Sequence, residues 1–257
     1  MWYLPLAFST YTVLYITYNP YIIIEQRKRD RKMKTVLITG GNKGIGLELT
    51  REFLALEYNV TVIARSFEDF EFTDKVKCIS YDLTDTEGIP KLIAPLGHID
   101  ILINNAGVMY SLPYNNYPQD KVNSMLKLNL ETPIKLIEEC VKAGTTRIVN
   151  NASIAGQIGH PDVWYGATKA GLINATKSFA KIFDGKVVIN AVAASPVETD
   201  MLESIPLARR EAFLKTVVSK RFAYADEVAK TMLWLAIESP EYMNGTTIDI
   251  NNSSFPR

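Results

Sequence analysis

The chain offers little to metal or disulfide chemistry. It has two cysteines, Cys78 and Cys140, and two histidines, His98 and His160. The cysteines lie far apart without metal-ligand spacing, so no metal site is expected and they read as buried thiols in a reducing compartment. Both histidines read as surface or turn residues, with the border of a substrate pocket as the lesser reading for His160. An excess of one charge is also missing. Lys+Arg and Asp+Glu each number 28, a formal net charge of zero. Nucleic acid, which calls for a basic face, is therefore not an expected partner. There are no internal repeats and no low-complexity tracts. What is present suits one globular domain with a substantial core: 257 residues, 47% hydrophobic and 22% charged.

Charge is absent altogether from Met1 to Ile24, and Arg27, Lys28, Arg29, Arg31, Lys32 and Lys34 follow closely. An uncharged run of about 20 residues can span a bilayer, and a basic flank on its C-terminal side would keep the following domain in the cytoplasm. Against a span stand Pro5, Asn19 and Pro20. Met33 sits directly before the first strand-like run, so residues 1–32 read equally well as an extension upstream of the working protein. Both readings stay open: a cytoplasmic domain 33–257, free or tethered to a membrane. The mass of the native N-terminus separates them.

From Met33 onward, apolar strand-like runs alternate with helical patterns. Strands are expected at Thr35–Thr39, Val60–Ala64, Val76–Tyr81, Ile101–Asn104, Arg147–Asn151, Val187–Val192 and Thr246–Ile250. Amphipathic segments fall near 44–57, 86–95, 120–143, 162–184 and 225–237. Such alternation means βαβ units: an α/β, doubly wound parallel sheet of the Rossmann type, with helices on both faces in a single domain. Ligands bind such sheets beyond the carboxyl ends of the strands, which directs attention to the residue after each strand.

The first strand ends in Thr39-Gly40-Gly41-Asn42-Lys43-Gly44-Ile45-Gly46, and an amphipathic run follows at once. This turn presents unpaired amides at a helix N-terminus, a place for a phosphate or pyrophosphate. After the second strand comes Arg65. An acidic residue there would bond ribose hydroxyls, whereas Arg suits a 2′-phosphate; with Lys43 adding a second positive charge, NADP is favoured over NAD. Glu68 and Asp69, nearby, pull the other way. After the third strand come Asp82 and Leu83, with Asp82 suited to accept from an adenine amino group or to cap the next helix. After the fourth come Asn104-Asn105-Ala106-Gly107, able to tie strands together and leave space for a flat ring.

These motifs, with Asn129, Ser153, and Tyr165-Gly166-Ala167-Thr168-Lys169, resemble the short-chain dehydrogenases/reductases in their compact branch. The resemblance runs from Met33 to Asn252. It implies catalytic roles for Asn129, Ser153, Tyr165 and Lys169, with Asn129 holding a relay water and Lys169 also bonding the nicotinamide ribose. It further implies that Pro196, Val197 and Thr199 meet the nicotinamide carboxamide, that 201–222 forms a substrate lid, and that a homodimer or homotetramer assembles through 120–143 and 162–184. Ala194 and Ser195 stand where the family usually has Pro-Gly. The stretches Ser66 to Lys75 and Asp85 to His98 are shorter than the family norm.

The chemistry of the residues agrees. Tyr165 and Lys169 are four apart on a helical pattern, hence on one face. A free phenol titrates near pH ~10; a lysine cation and an oxidised nicotinamide beside it would favour the phenolate. Tyr165 could then exchange a proton with a carbonyl or alcohol oxygen that Ser153 orients. The expected activity is ketone/secondary-alcohol interconversion with a small-molecule substrate, by resemblance 3-oxoacyl-carrier reduction. The alternative is a catalytically silent NADP-binding sensor or scaffold. In the lid, Met201, Leu202, Ile205, Leu207, Phe213 and Leu214 allow a greasy substrate. Arg209, Arg210, Lys215, Lys220 and Arg221 read as a solvated face partnered by Glu203 and Glu211.

Overall fold

A computed structural model describes residues 33–256; the alternatives for residues 1–32 lie outside the described residues. In chain order the elements are β1 Thr35–Thr39, α1 Gly44–Ala55, β2 Asn59–Ala64, β3 Lys77–Ser80, α2 Ile89–Ile93, β4 Ile101–Asn104, α3 Gln119–Leu126, α4 Thr132–Lys142, β5 Arg147–Asn151, α5 Val163–Ile182, β6 Val188–Ala194, α6 Asp200–Glu203, α7 Leu207–Thr216, α8 Ala225–Ile237 and β7 Thr247–Ile250. The seven strands form one sheet in the order β3-β2-β1-β4-β5-β6-β7, and every pairing is parallel. The strand order reverses between β1 and β4, which opens a crevice at their carboxyl ends.

Alternation along the central strands builds a core on each face of the sheet. Val36 and Ile38 of β1, Val62 of β2, and Ile101 and Ile103 of β4 pack with Leu49 and Phe53 of α1 and Val228 and Met232 of α8. The intervening Leu37, Ile63 and Leu102 turn to the other face, against Ile89 and Ile93 of α2 and Leu136, Ile137 and Cys140 of α4. Each such side chain, fully buried, contributes roughly 1.5–3 kcal/mol. Among the described residues, no helix is long and apolar enough to cross a membrane.

Three departures from the sequence pattern have identifiable causes. The run 120–143 is not one α-helix: a π turn at Lys127–Glu131 separates α3 from α4, and its Asn129 bonds the backbone of Val108 on both sides, accepting from the amide and donating to the carbonyl, each at 2.8 Å. The short helix expected near 86–95 stops at Ile93 and finishes as a 3-10 turn, Ala94–Leu96, where Pro95 has no amide to donate. With Ala194 and Ser195 in place of Pro-Gly, β6 runs two residues past its expected end at Val192, and the Ser195 amide donates to Ile250 at 2.9 Å. The trimmed stretch after β2 is held by aromatics: Phe70 is buried, with Phe67 and Phe72 at ring distances of 5.6 and 5.9 Å.

Candidate active site

The glycine turn is shaped by close approach. A Cβ at Gly46 would lie 2.0 Å from the Gly40 carbonyl oxygen, and Gly40 and Gly44 have φ of +63° and +53°. Lys43 stands at the N-cap of α1 without a side chain bonding the first amides, and the first turn carries no acidic residue. Those amides and the helix dipole therefore remain directed at the crevice, which suits a diphosphate. Asn42 donates to the Ser66 carbonyl at 2.9 Å and so fastens the turn to the end of β2. Lys43 is drawn elsewhere: its ammonium lies 3.1 Å from Asp200 on α6, so it links the turn to the lid.

Opposite the turn, the amides of Asn105 and Ala106 donate to the Thr39 hydroxyl at 2.9 and 3.0 Å. The Asn105 side chain donates to the Thr39 and Gly40 carbonyls and accepts from Asn151. Asn104 donates to Asn150 at 2.9 Å. The two amides thus clamp β1, β4 and β5 together, as their residue types suggest. Arg65 is exposed at the end of β2. Asp82 accepts from the amide and hydroxyl of Thr84 at 3.0 and 2.9 Å; these bonds, with the Arg65 charge, hold its carboxyl below the ordinary range against desolvation. Leu83 is buried beside it.

The four residues of the expected catalytic set converge. Ser153 follows β5 and caps a 3-10 turn, accepting from the Ala155 amide at 3.1 Å; its hydroxyl donates to the Ala194 carbonyl at 3.4 Å and acts on the Tyr165 phenol, lowering its pKa. The Lys169 ammonium lies 5.7 Å from the centre of the Tyr165 ring and donates to the Asn151 carbonyl at 2.7 Å. Asn129 reaches the neighbouring turn of α5 through Thr168, 3.3 Å away. Gly107 lies between them: a Cβ there would stand 3.3 Å from the Asn129 carbonyl oxygen and 3.6 Å from the Lys169 nitrogen.

The phenolate is expected beside both the Lys169 cation and an oxidised nicotinamide; the protein groups by themselves act the other way. Burial pushes the Tyr165 phenol up to about 12; the Ser153 bond opposes this and the Asp162 charge adds to it. Burial also pulls Lys169 down, to about 8. Desolvation of the anion is the largest of the effects on the phenol. In the chain by itself Tyr165 is a protonated acid at neutral pH.

Two residues bear on the site without having been singled out for it, and His160 adds a third. A Cβ at Gly156 would lie 2.5 Å from the Lys169 carbonyl carbon, so the absence of a side chain lets the Ser153 turn close on α5. Asp162 caps α5, accepting from the Tyr165 amide at 3.0 Å. His160 is half-buried in the turn before α5: its ring centre lies 5.5 Å from that of Tyr165, and burial lowers its pKa. His98, by contrast, is exposed beside Asp100.

The segment expected to form the lid leaves and rejoins the scaffold where Val197 and Ala223 form a parallel bridge. The Glu198 amide donates to Ala223 at 2.9 Å, and the Ala223 amide donates to Pro196 at 3.3 Å. Thr199 faces the glycine turn, its Cγ2 3.1 Å from where a Gly44 Cβ would stand. The Arg209 guanidinium on α7 lies 3.4 Å from the His160 Nε2, and the His160 Nδ1 lies 3.2 Å from the Asp162 amide nitrogen and 3.1 Å from the Asp162 carbonyl oxygen. The expected partners of the lid charges are not those observed. Arg221 pairs with Glu227 at 2.7 Å, and among the described residues no ion pair joins Glu203 or Glu211 to these bases.

Comparison with known proteins bears on the family and the fold. The family description "short chain dehydrogenase" matches residues 34–210. A 3-oxoacyl-(acyl-carrier-protein) reductase FabG of Thermotoga maritima is 32% identical over 238 residues, covering 85% of this chain and 96% of that protein. An acetoacetyl-CoA reductase of Shinella zoogloeoides is 29% identical over 237 residues, with 86% and 98% covered. Among solved structures, ElxO with NADP bound superposes with a TM-score of 0.78 at 28% identity, over 88% of this chain and all of that one. The chain belongs to the short-chain dehydrogenase/reductase family and is an oxidoreductase of the short-chain type.

Proposed function

We propose that this chain uses NADPH to reduce the ketone of an apolar 3-oxoacyl thioester, or of a ketone of similar shape, to the secondary alcohol. The observation that carries this reading is the convergence of Ser153, Tyr165 and Lys169 at the mouth of the glycine-turn crevice, with Tyr165 set in an apolar cluster of Met109, Met125, Ala155 and Ile205. The 3-oxoacyl and acetoacetyl relatives supply the substrate class, and NADP in ElxO supports the cofactor. When bound, the nicotinamide supplies a hydride to the carbonyl carbon.

The side chains then have distinct tasks. The backbone of Gly40, Asn42, Gly44, Ile45 and Gly46 would hold the diphosphate and Arg65 the 2′-phosphate, which Lys43 would join on leaving Asp200. Asp82 and Leu83 would border adenine, Asn105, Ala106 and Gly107 the ring cleft, and Pro196, Val197 and Thr199 the carboxamide. Ser153 donates to the substrate oxygen and fixes its direction. Tyr165 gives that oxygen its phenolic proton and is left as phenolate. Lys169 holds the ribose and stabilises the phenolate, and a water held by Asn129 connects Lys169 to solvent for reprotonation. Assembly into a homodimer or homotetramer in the cytoplasm completes the reading; Val163 and Ile182, exposed on α5, support a further contact there.

A panel of ketones including a 3-oxoacyl thioester, followed by NADPH oxidation, tests the activity. The expected result is turnover with the thioester and with compact apolar ketones; NADPH binding without turnover on any member would replace this reading with the silent sensor. Arg65→Ala tests the cofactor preference. NADPH affinity should fall on the order of tenfold or more with NADH affinity nearly unchanged, as for loss of a charge-assisted phosphate contact. Equal losses for both cofactors would remove Arg65 as the 2′-phosphate contact.

A further inference from the structure

We propose that Asp162 is a positioning residue for the reaction: its one buried carboxylate holds the backbone of Tyr165 and the loop packed against that tyrosine in a fixed relation. The inference rests on Tyr165 being the proton donor.

Asp162 is completely buried, and a buried carboxylate is costly unless its oxygens are bonded. Here both are. Oδ1 accepts from the Tyr165 amide at 3.0 Å. Oδ2 accepts from the Ser111 amide and from the Tyr117 hydroxyl, each at 2.9 Å. Neither Tyr165, Ser111 nor Tyr117 supplies a cation, so the charge is stabilised by three donors and by the N-terminal end of the α5 dipole.

A helix cap alone does not require this arrangement, since the single oxygen of Ser or Thr, or the amide oxygen of Asn, serves an N-cap as well. The second oxygen is committed to a segment remote in sequence. That segment carries Val108, Met109, Tyr110 and Tyr117, which pack in one cluster with Tyr165 and Ile205. Its Ser111 has φ of +54°, a left-handed conformation that persists only where the surroundings enforce it. Burial and the Asp162 charge push the Tyr117 phenol far up, so it stays a donor. One carboxylate thus fixes the first turn of the helix bearing Tyr165 and one wall of the cluster around its ring.

The charge has a second effect. Facing Tyr165 are the Ser153 hydroxyl, the His160 ring with Arg209 behind it, the Lys169 ammonium, Tyr110 and Tyr117 within the apolar cluster, and Asp162. Of these groups Asp162 is the anion, and its field helps to keep the phenol protonated.

The test uses the full chain with NADPH and the fastest ketone of the panel above. Asp162→Asn keeps an oxygen for the Tyr165 amide and turns an amide donor toward the donors of Ser111 and Tyr117. The expected result is a fall in kcat of about tenfold to a hundredfold, with NADPH affinity within about twofold of the parent. The alkaline limb of kcat for reduction should also move to lower pH, because the phenol loses an anion that raises its pKa. A folded variant with a lower melting temperature but the parent's kcat and alkaline limb would overturn the inference and leave Asp162 a cap. Should Asp162→Asn not fold, Asp162→Ser, which keeps the cap and drops the tie to the loop, is read by the same two outcomes. Tyr165→Phe runs alongside. If it is dead while Asp162→Asn behaves as parent, only this inference fails; if Tyr165→Phe turns over, the acid–base reading beneath it fails as well.

Discussion

Tyr165→Phe should lose on the order of 10²–10⁴-fold in kcat, the range expected for removing a general acid. The change deletes one oxygen and leaves the ring in its apolar cluster with Met109, Met125 and Ile205. Lys169 and the glycine turn are untouched, so NADPH binding should persist. The pH dependence carries a sign. Burial pushes the phenol up to about 12, so the acid form is fully populated at neutral pH, and reduction should be nearly flat from neutral into the mildly alkaline range. Oxidation of the alcohol needs the phenolate and should climb through the same range. Steady-state rates in both directions check this. A reductive rate that falls on leaving neutral pH would mean that bound cofactor lowers the phenol pKa, as the sequence alone suggests; persistent turnover by Tyr165→Phe would remove the assignment.

The second large effect is expected at Gly46→Ala. The added carbon would lie 2.0 Å from the Gly40 carbonyl oxygen and 2.6 Å from the Asn105 amide nitrogen. Neither can yield easily, because Gly40 donates to Ile63 of β2 and the Asn105 side chain is clamped to β1 and β5. Overpacking of this kind costs about 1–3 kcal/mol or more. Because the strain falls on the turn that would hold the diphosphate, NADPH affinity should fall with it, by about tenfold to a hundredfold. Gly159→Ala is the control, since a Cβ there meets nothing within 4 Å and both stability and affinity should be unchanged. Urea midpoints and a cofactor titration measure the pair; parent-like affinity in Gly46→Ala would show that the turn can open without loss.

Much of this was legible in the sequence because the decisive signals are local. The runs that become β1, β4 and β5 end where expected, since a buried parallel strand reads as an apolar run cut off by glycine or amide residues. The spacing of Tyr165 and Lys169 is likewise a local fact. Other features depend on what lies far away in sequence. The π turn at Asn129 adds a residue per turn without a compositional trace. The second oxygen of Asp162 answers to Ser111 and Tyr117, 51 and 45 residues away, so a local reading finds only a helix cap. The sign of the Tyr165 shift depends on burial, which the pairing of Tyr and Lys in sequence does not disclose. His160 reads as a turn residue until α7 and the Tyr165 ring are brought to its two sides.

The bridge between Val197 and Ala223 gives the lid the character of an exchangeable cassette. Its two ends are pinned side by side on the scaffold, so lengthening or shortening what lies between them changes closure entropy only slowly, by ~0.6 kcal/mol per doubling. A stretch borrowed from a relative with different substrate taste could be spliced in at that junction while the sheet, the crevice and the proton-handling helix keep their places. Diversification of this scaffold toward new ketones would then proceed by replacing a loop, with the chemical machinery inherited intact.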